Sequence, residues 1–280
     1  MAWLGGTEDG RRWLDGLPTL LDDVARRWRL TLGEPYPYAF ASVALPVRTA
    51  DDTDAVLKLQ FPDRESTHEA AALRAWAGSG AVRLLDADPD RHALLLERCE
   101  PGSPLLDAPA ADRLAAFSAL LPRLWVEAPA EVTPLVEEAA WWLGSLESSS
   151  TAALHALDRE LLEAARLALQ ELPPTQGPSV LLNQDLHAQN VLRAAREPWL
   201  VIDPKPLAGE REFGLAPVLR DVARWDLDAL VPALDRLTAE LGLDRDRARR
   251  WALAQTVAWG FDEGAVDPLH AQVARMLHEA

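Results

Sequence analysis

A chain of 280 residues, 49% of them apolar, can bury one large core or two modest ones. Its 44 Asp and Glu against 28 Lys and Arg leave a net charge of −16, which argues against the clustered positive surface a nucleic-acid binder needs. The excess acid either keeps the chain dispersed or lines part of a pocket for a cationic ligand.

A single cysteine, Cys99, excludes an intrachain disulfide and a cysteine-based zinc site. The opening MAWLGGTEDGRRWLDG has no basic stretch leading into an apolar one, so no signal peptide is expected. No run approaches the roughly 20 apolar residues of a membrane span, so a soluble, cytoplasmic chain without membrane partners is expected.

The first predicted element is a helix, with Leu17, Leu20, Leu21, Val24 and Trp28 at helical spacing and Pro18 placed as an early helix position allows. From 35 to 61 the pattern changes to two apolar runs, YAFASVALPV and DAVLKLQF, separated by RTADDTD, which reads as a β-hairpin. DRESTHEAAALRAWAGSG predicts a helix ending at Gly78 and Gly80. Two more short strands are expected around the turn at 87–91, so the first hundred residues form a small antiparallel sheet with one inserted helix.

Beyond EPGSP, at 100–104, the pattern is almost all helical, with helices expected over 110–125, 131–146 and 151–172 and again toward the end. The expected division is therefore 1–100 and 101–280, with a cleft between a small β-rich lobe and a larger helical one.

One stretch breaks the helical pattern: SVLLNQDLHAQNVLRAAREPWLVIDPKP, residues 179–206. Asp and Asn are poor strand residues, yet here they stand where two short β-like runs, 191–194 and 199–203, begin. Asp185 and Asn190 are five apart, and Asp203 follows thirteen residues later. Phosphoryl transfer needs such a set: a carboxylate to orient and deprotonate a hydroxyl, and oxygen ligands to hold Mg²⁺ on phosphates.

NQDLHAQNVL followed by REPWLVIDPKPLAGEREFG resembles the aminoglycoside and hydroxyurea phosphotransferase family, in particular its streptomycin-kinase-like branch, within the protein-kinase-like superfamily. The resemblance runs from about residue 35 to 214 and, less sharply, to the end. It implies an α+β, two-lobed protein-kinase-like fold and an ATP- and Mg²⁺-dependent kinase of a small hydroxylated molecule. By the same resemblance Asp185 is the base and Asn190 and Asp203 are metal ligands. Lys58 is the nucleotide-phosphate lysine, and Glu97 and Cys99 stand in the linker whose backbone meets adenine.

Lys58 is a lone cation in an apolar strand, which is costly unless it meets an anion or faces water at an edge. Glu69 either pairs with Lys58 or closes a capping box with Ser66. The glycine-rich phosphate loop of protein kinases is missing, since PYPYAFASVALP has no glycine. Asn183 and Gln184 replace the usual pair before the base, and Lys205 could meet either a transferred phosphate or a neighbouring carboxylate. His187, two residues after Asp185, is expected to be structural.

A cationic aminocyclitol acceptor would want carboxylates and aromatic faces. Asp221, Trp259, Asp262 and Glu263 in the C-terminal region offer them, unless they are simply ends of amphipathic helices. A kinase of an amino sugar or another hydroxylated metabolite, and a kinase-like module that binds nucleotide without turnover, are the alternatives.

Overall fold

In the computed structural model, which describes residues 2–37, 40–148, 157–262 and 265–280, helix α1 runs Glu8–Trp28. It starts earlier than Pro18 suggested, because Thr7 caps it, its Oγ1 accepting from Gly10 N at 3.0 Å, and Glu8 and Asp9 fill the first turn. Pro18 therefore lies inside the helix. Trp13, Leu17, Leu20, Leu21, Val24 and Trp28 share one face at i, i+3 and i+4 spacing.

That face covers one side of a five-stranded antiparallel sheet. Its strands are β1 (Thr31–Leu32), β2 (Ser42–Arg48), β3 (Asp54–Gln60), β4 (Leu84–Asp88) and β5 (Ala93–Glu97), in the order β1-β2-β3-β5-β4. Side chains alternate along each strand, so Val43, Leu45, Val47, Leu57, Leu59 and Leu95 point at α1 and are buried. Each such buried side chain contributes roughly 1.5–3 kcal/mol. The same alternation sends Lys58 to the opposite face, and β3 is paired on both sides, by β2 and β5.

Helix α2 (Glu69–Trp76) follows β3. Its end turns through Ala77 and Gly78, both at positive φ, and Gly80 at φ 74°. That turn has a long-range consequence: Val201 N donates to Gly80 O and Val82 N to Val201 O, which joins the sheet-bearing half to a distant strand.

The remaining chain supplies seven described helices. They are α3 (Ala110–Leu124), α4 (Leu135–Ser148), α5 (Arg159–Glu171), α6 (Leu215–Trp225), α7 (Leu230–Leu241), α8 (Arg245–Ala258) and α9 (Pro268–Glu279). Helix α4 begins four residues later than expected. Pro134 disfavours helical backbone just before it and instead bridges to Ala208. The start of the helix expected over 151–172 lies largely outside the described residues.

Between these helices sit two small sheets. One pairs β6 (Pro101–Pro104), β8 (Val191–Ala194) and β9 (Trp199–Val201); the other pairs β7 (Val180–Asn183) with β10 (Pro206–Gly209). A last short pair joins β11 (Phe261–Asp262) and β12 (Ala265–Val266). The fold is α+β, an antiparallel sheet with one helix after its third strand followed by a mostly helical part. No described helix is long and apolar enough to cross a membrane.

Candidate active site

Lys58, in the middle of β3, is 5% exposed, so its ammonium must meet anions. Nζ lies 2.5 Å from Glu69 Oε2 and 2.5 Å from Asp203 Oδ1. Helix α2 begins at Glu69 with no side-chain cap, so the carboxylate is free for Lys58, and Gln60 Nε2 adds a bond to the same oxygen at 2.7 Å. No capping box forms: Ser66 N instead donates to Asp63 Oδ1.

Burial is the largest influence on all three ionisable groups, and it acts against charge. It pushes the fully buried Glu69 up to about 7, with Lys58 opposing. At Lys58 burial is outweighed by Asp203 and Glu69, which hold the ammonium charged above its ordinary range. At Asp203 burial is outweighed by Lys58, which keeps the carboxyl below its usual value.

Asp203 stands just past β9 with φ 49°, the left-handed region that non-glycine residues seldom adopt. Such strain needs support from its surroundings. Val201 is tied to the α2 turn, and Ile202 N donates to Asn190 O at 2.9 Å. That last bond, together with the β8–β9 ladder, sets Asn190 just before β8 beside the turn that follows β9 and carries Asp203.

Asp185 is held from behind. Asn183, 4% exposed at the end of β7, accepts from Asp185 N at 3.1 Å and Lys205 N at 3.0 Å through the same Oδ1. Gln184 O accepts from Gln255 Nε2 at 3.0 Å. The two residues that replace the usual pair therefore brace the loop by side-chain and backbone bonds.

Around Asp185 the chain places its own cations. Lys205 Nζ is 3.4 Å from Oδ2 and Arg220 Nη2 is 3.8 Å from Oδ1. Both cations lie over the Trp259 ring, Arg220 at 4.3 Å and Lys205 at 5.5 Å from its centroid. Burial lowers the Arg220 guanidinium to about 10. Lys205 is raised, burial being outweighed by Asp185 and Glu65. His187 Nε2 lies 3.8 Å from Asp185 Oδ2, and burial lowers it, which favours the neutral ring.

Of the residues named for substrate, Asp221 is buried and accepts from Ala188 N at 2.8 Å, so it braces the loop after Asp185. Trp259 carries Arg220 and Lys205 on its ring. Asp262 ends the short strand β11, while Glu263 lies outside the described residues. Glu97 is engaged with Arg196, which bonds both its oxygens at 2.8 Å, and its Oε2 also accepts from Arg83 N. Cys99 is partly buried, its thiol pushed up to about 11 by burial.

Arg220, Glu65 and Arg196 were not singled out from the sequence. Arg220 carried a signal, a lone cation within the otherwise buried run of α6. Arg196 reads as an ordinary turn residue, yet it also bonds Gly78 O and Ala81 O.

The donor set fits a hard dication on phosphates. Asn190 offers a carboxamide oxygen with no partner among the described residues, and Asp203 a carboxylate that meets Lys58 through Oδ1. The described residues hold no cluster of three or more His, Cys, Asp or Glu suited to a metal, so phosphate and water oxygens would have to complete the shell. Mg²⁺ accepts that arrangement readily.

The sequence matches the family model described as aminoglycoside/hydroxyurea antibiotic resistance kinase over residues 27–264. A hydroxyurea phosphotransferase from Kitasatospora aureofaciens is 40% identical over 276 residues, covering 96% of this chain and 80% of the relative. A streptomycin 6-kinase from Streptomyces glaucescens is 38% identical over 285 residues, covering 96% and 92%. Among solved structures, a choline kinase from Streptococcus pneumoniae superposes with a TM-score of 0.63 at 11% identity, covering 94% and 98%, which shows a shared fold. With the fold, the lysine–carboxylate centre and relatives matched almost end to end, the chain belongs to the aminoglycoside/hydroxyurea antibiotic resistance kinase family and is a phosphotransferase that acts on a hydroxyl group.

Proposed function

We propose that the protein transfers the terminal phosphoryl group of ATP·Mg²⁺ to a hydroxyl of a small antibiotic-like molecule of the streptomycin or hydroxyurea kind. The observation that carries this reading is the contact of Lys58 with Asp203, which joins a buried cation to the turn after β9, itself bonded to Asn190 through Ile202 N. We place the lobe boundary at residue 100, just before β6, and the reaction in the cytoplasm, where ATP is available.

In this reading Asp185 orients the acceptor hydroxyl and takes its proton. Asn190 and Asp203 hold the dication, which offsets charge on the phosphates when bound. Lys58, fixed by Glu69 and Gln60, positions the nucleotide phosphates. Main-chain groups near Glu97 and Cys99 meet the adenine. Placement and electrostatics do most of the work, because the covalent change is simple.

For a cationic acceptor, Asp262 and Glu263 are the carboxylates left to meet it, since Asp221 and Trp259 are engaged within the protein. The test is ADP release over a panel of streptomycin, other aminocyclitols, amino sugars and hydroxyurea. Turnover with at least one compound supports the reading. Nucleotide binding without turnover on any of them would favour a non-catalytic module.

A further inference from the structure

Lys205 stands two residues beyond Asp203 and is fixed by its backbone on both sides. Its N–H donates to Asn183 Oδ1, and its carbonyl accepts from Gln184 N at 3.0 Å. Only the far end of the side chain has freedom. There Nζ lies 2.7 Å from Glu65 Oε2 and 3.4 Å from Asp185 Oδ2, with the three side chains 25%, 35% and 18% exposed.

Glu65 belongs to the segment between β3 and α2, which docks on the helical part. Its neighbour Arg64 bonds the buried Glu138 at 2.5 Å and lies 4.8 Å over the Trp141 ring. Glu65 is thus held beside Lys205 from the side where the nucleotide phosphates are read by Lys58. The ammonium is partly exposed, lies beside the proton acceptor and follows the metal-side carboxylate by two residues, so a phosphoryl group passing to a hydroxyl at Asp185 comes within its reach. The residue two positions after Asp185, His187, is neutral by virtue of burial and supplies no such cation.

We propose that the Lys205 ammonium binds the phosphoryl group as it passes to the acceptor, and that Glu65 holds Lys205 in place until substrates arrive. This rests on the kinase reading above. In the step, the bond from the terminal phosphorus to the nucleotide's bridging oxygen breaks and a bond to the acceptor oxygen forms. The hydroxyl proton goes to Asp185, and Lys205 donates hydrogen bonds without losing a proton. Lys205 is then a catalytic residue supplied by the loop between β9 and β10 instead of the loop of the base.

The variants Lys205→Gln, Lys205→Arg and Glu65→Gln test this by kinetics, melting temperature and calorimetry. Lys205→Gln should lower kcat about a hundredfold while leaving KM for ATP nearly unchanged, as loss of a transition-state donor does. Lys205→Arg should restore part of it. Binding of ADP should stay within about twofold of wild type, but ADP with aluminium fluoride and acceptor should bind about tenfold more weakly. Glu65→Gln should have the opposite sign, tightening that complex by about threefold, the worth of a partly exposed ion pair.

Two results overturn the proposal. One is a Lys205→Gln enzyme with wild-type kcat. The other is a parallel loss of melting temperature and fluoride-complex affinity in Lys205→Gln and Glu65→Gln, the mark of a latch between the two parts of the chain. Lack of turnover by the wild type on every acceptor would instead sink the kinase reading, and the ADP-to-fluoride ratio still reads Lys205 independently of acceptor choice when measured without one.

Discussion

Lys58 Nζ and Asp203 Oδ1 meet at 2.5 Å although 145 residues separate them in the chain. The contact joins the central strand of the five-stranded sheet to the turn just after the 199–201 strand. Lys58 is buried and shares its charge between Glu69 and Asp203, and the contact helps hold Asp203, whose left-handed backbone needs support.

Asp203→Ala should abolish Mg²⁺-dependent tightening of nucleotide binding, because the Asn190 carboxamide alone offers a neutral oxygen to a hard dication. Titrating Mg²⁺ against nucleotide affinity measures it. An unchanged metal dependence would count against Asp203 as a ligand.

Glu69 gives a pH dependence with a definite sign. Its folded value of about 7 lies above the ordinary 4.5, so between these values the folded chain binds the extra proton. Its contribution to stability is full below about 4.5 and is lost as pH rises through 7, by an amount on the order of 3 kcal/mol. Denaturant melts of wild type and Glu69→Gln across this window should show the wild type losing ground to the variant as pH rises. A difference that is flat with pH contradicts the burial argument.

Asn183→Ala should lower kcat about tenfold with a smaller effect on ATP affinity, because one oxygen aligns both the Asp185 and Lys205 backbones and a 1 Å misplacement near the chemistry is costly. Two part-buried N–H groups also lose their acceptor, at roughly 1 kcal/mol of stability each. Asn183→Asp, which keeps the acceptor oxygen, should recover much of the rate; equal losses in both variants would contradict the bracing role.

Most of the candidate site was legible because it lies in short, ordered spacings. Asp185, Asn190 and Asp203 sit within nineteen residues of one another, and a lysine in an apolar strand announces itself by its cost of burial. The antiparallel sheet and helical remainder followed from periodicity. What stayed hidden depends on contacts between distant segments. Nothing local in the turn at Arg196 reveals that it clasps Glu97 and two carbonyls of the α2 turn. Asp221 and Trp259 looked available for a ligand, because sequence shows residue type but not that Ala188 N and Arg220 already engage them.

The acidic end of the chain makes a separate prediction. If Asp262 and Glu263 meet a cationic acceptor, changing them to Asn and Gln should raise KM for that acceptor and spare ATP. The wild-type KM should also rise with ionic strength, since exposed charges are screened over about 10 Å at 0.1 M salt. A KM indifferent to both would assign the acidity to the solvated surface.

The central claim is that Asp185 takes the proton from an acceptor hydroxyl during phosphoryl transfer, and single-turnover chemistry with Asp185→Asn tests it most directly. With ATP, Mg²⁺ and the best acceptor of the panel, phosphorus NMR should show one phosphate ester formed per ADP by the wild type. In Asp185→Asn the same ester should form at least about a hundredfold more slowly, the usual consequence of losing a positioned base. ADP and ATP should bind the variant as they bind the wild type. Ester formation by Asp185→Asn at the wild-type rate would contradict the account.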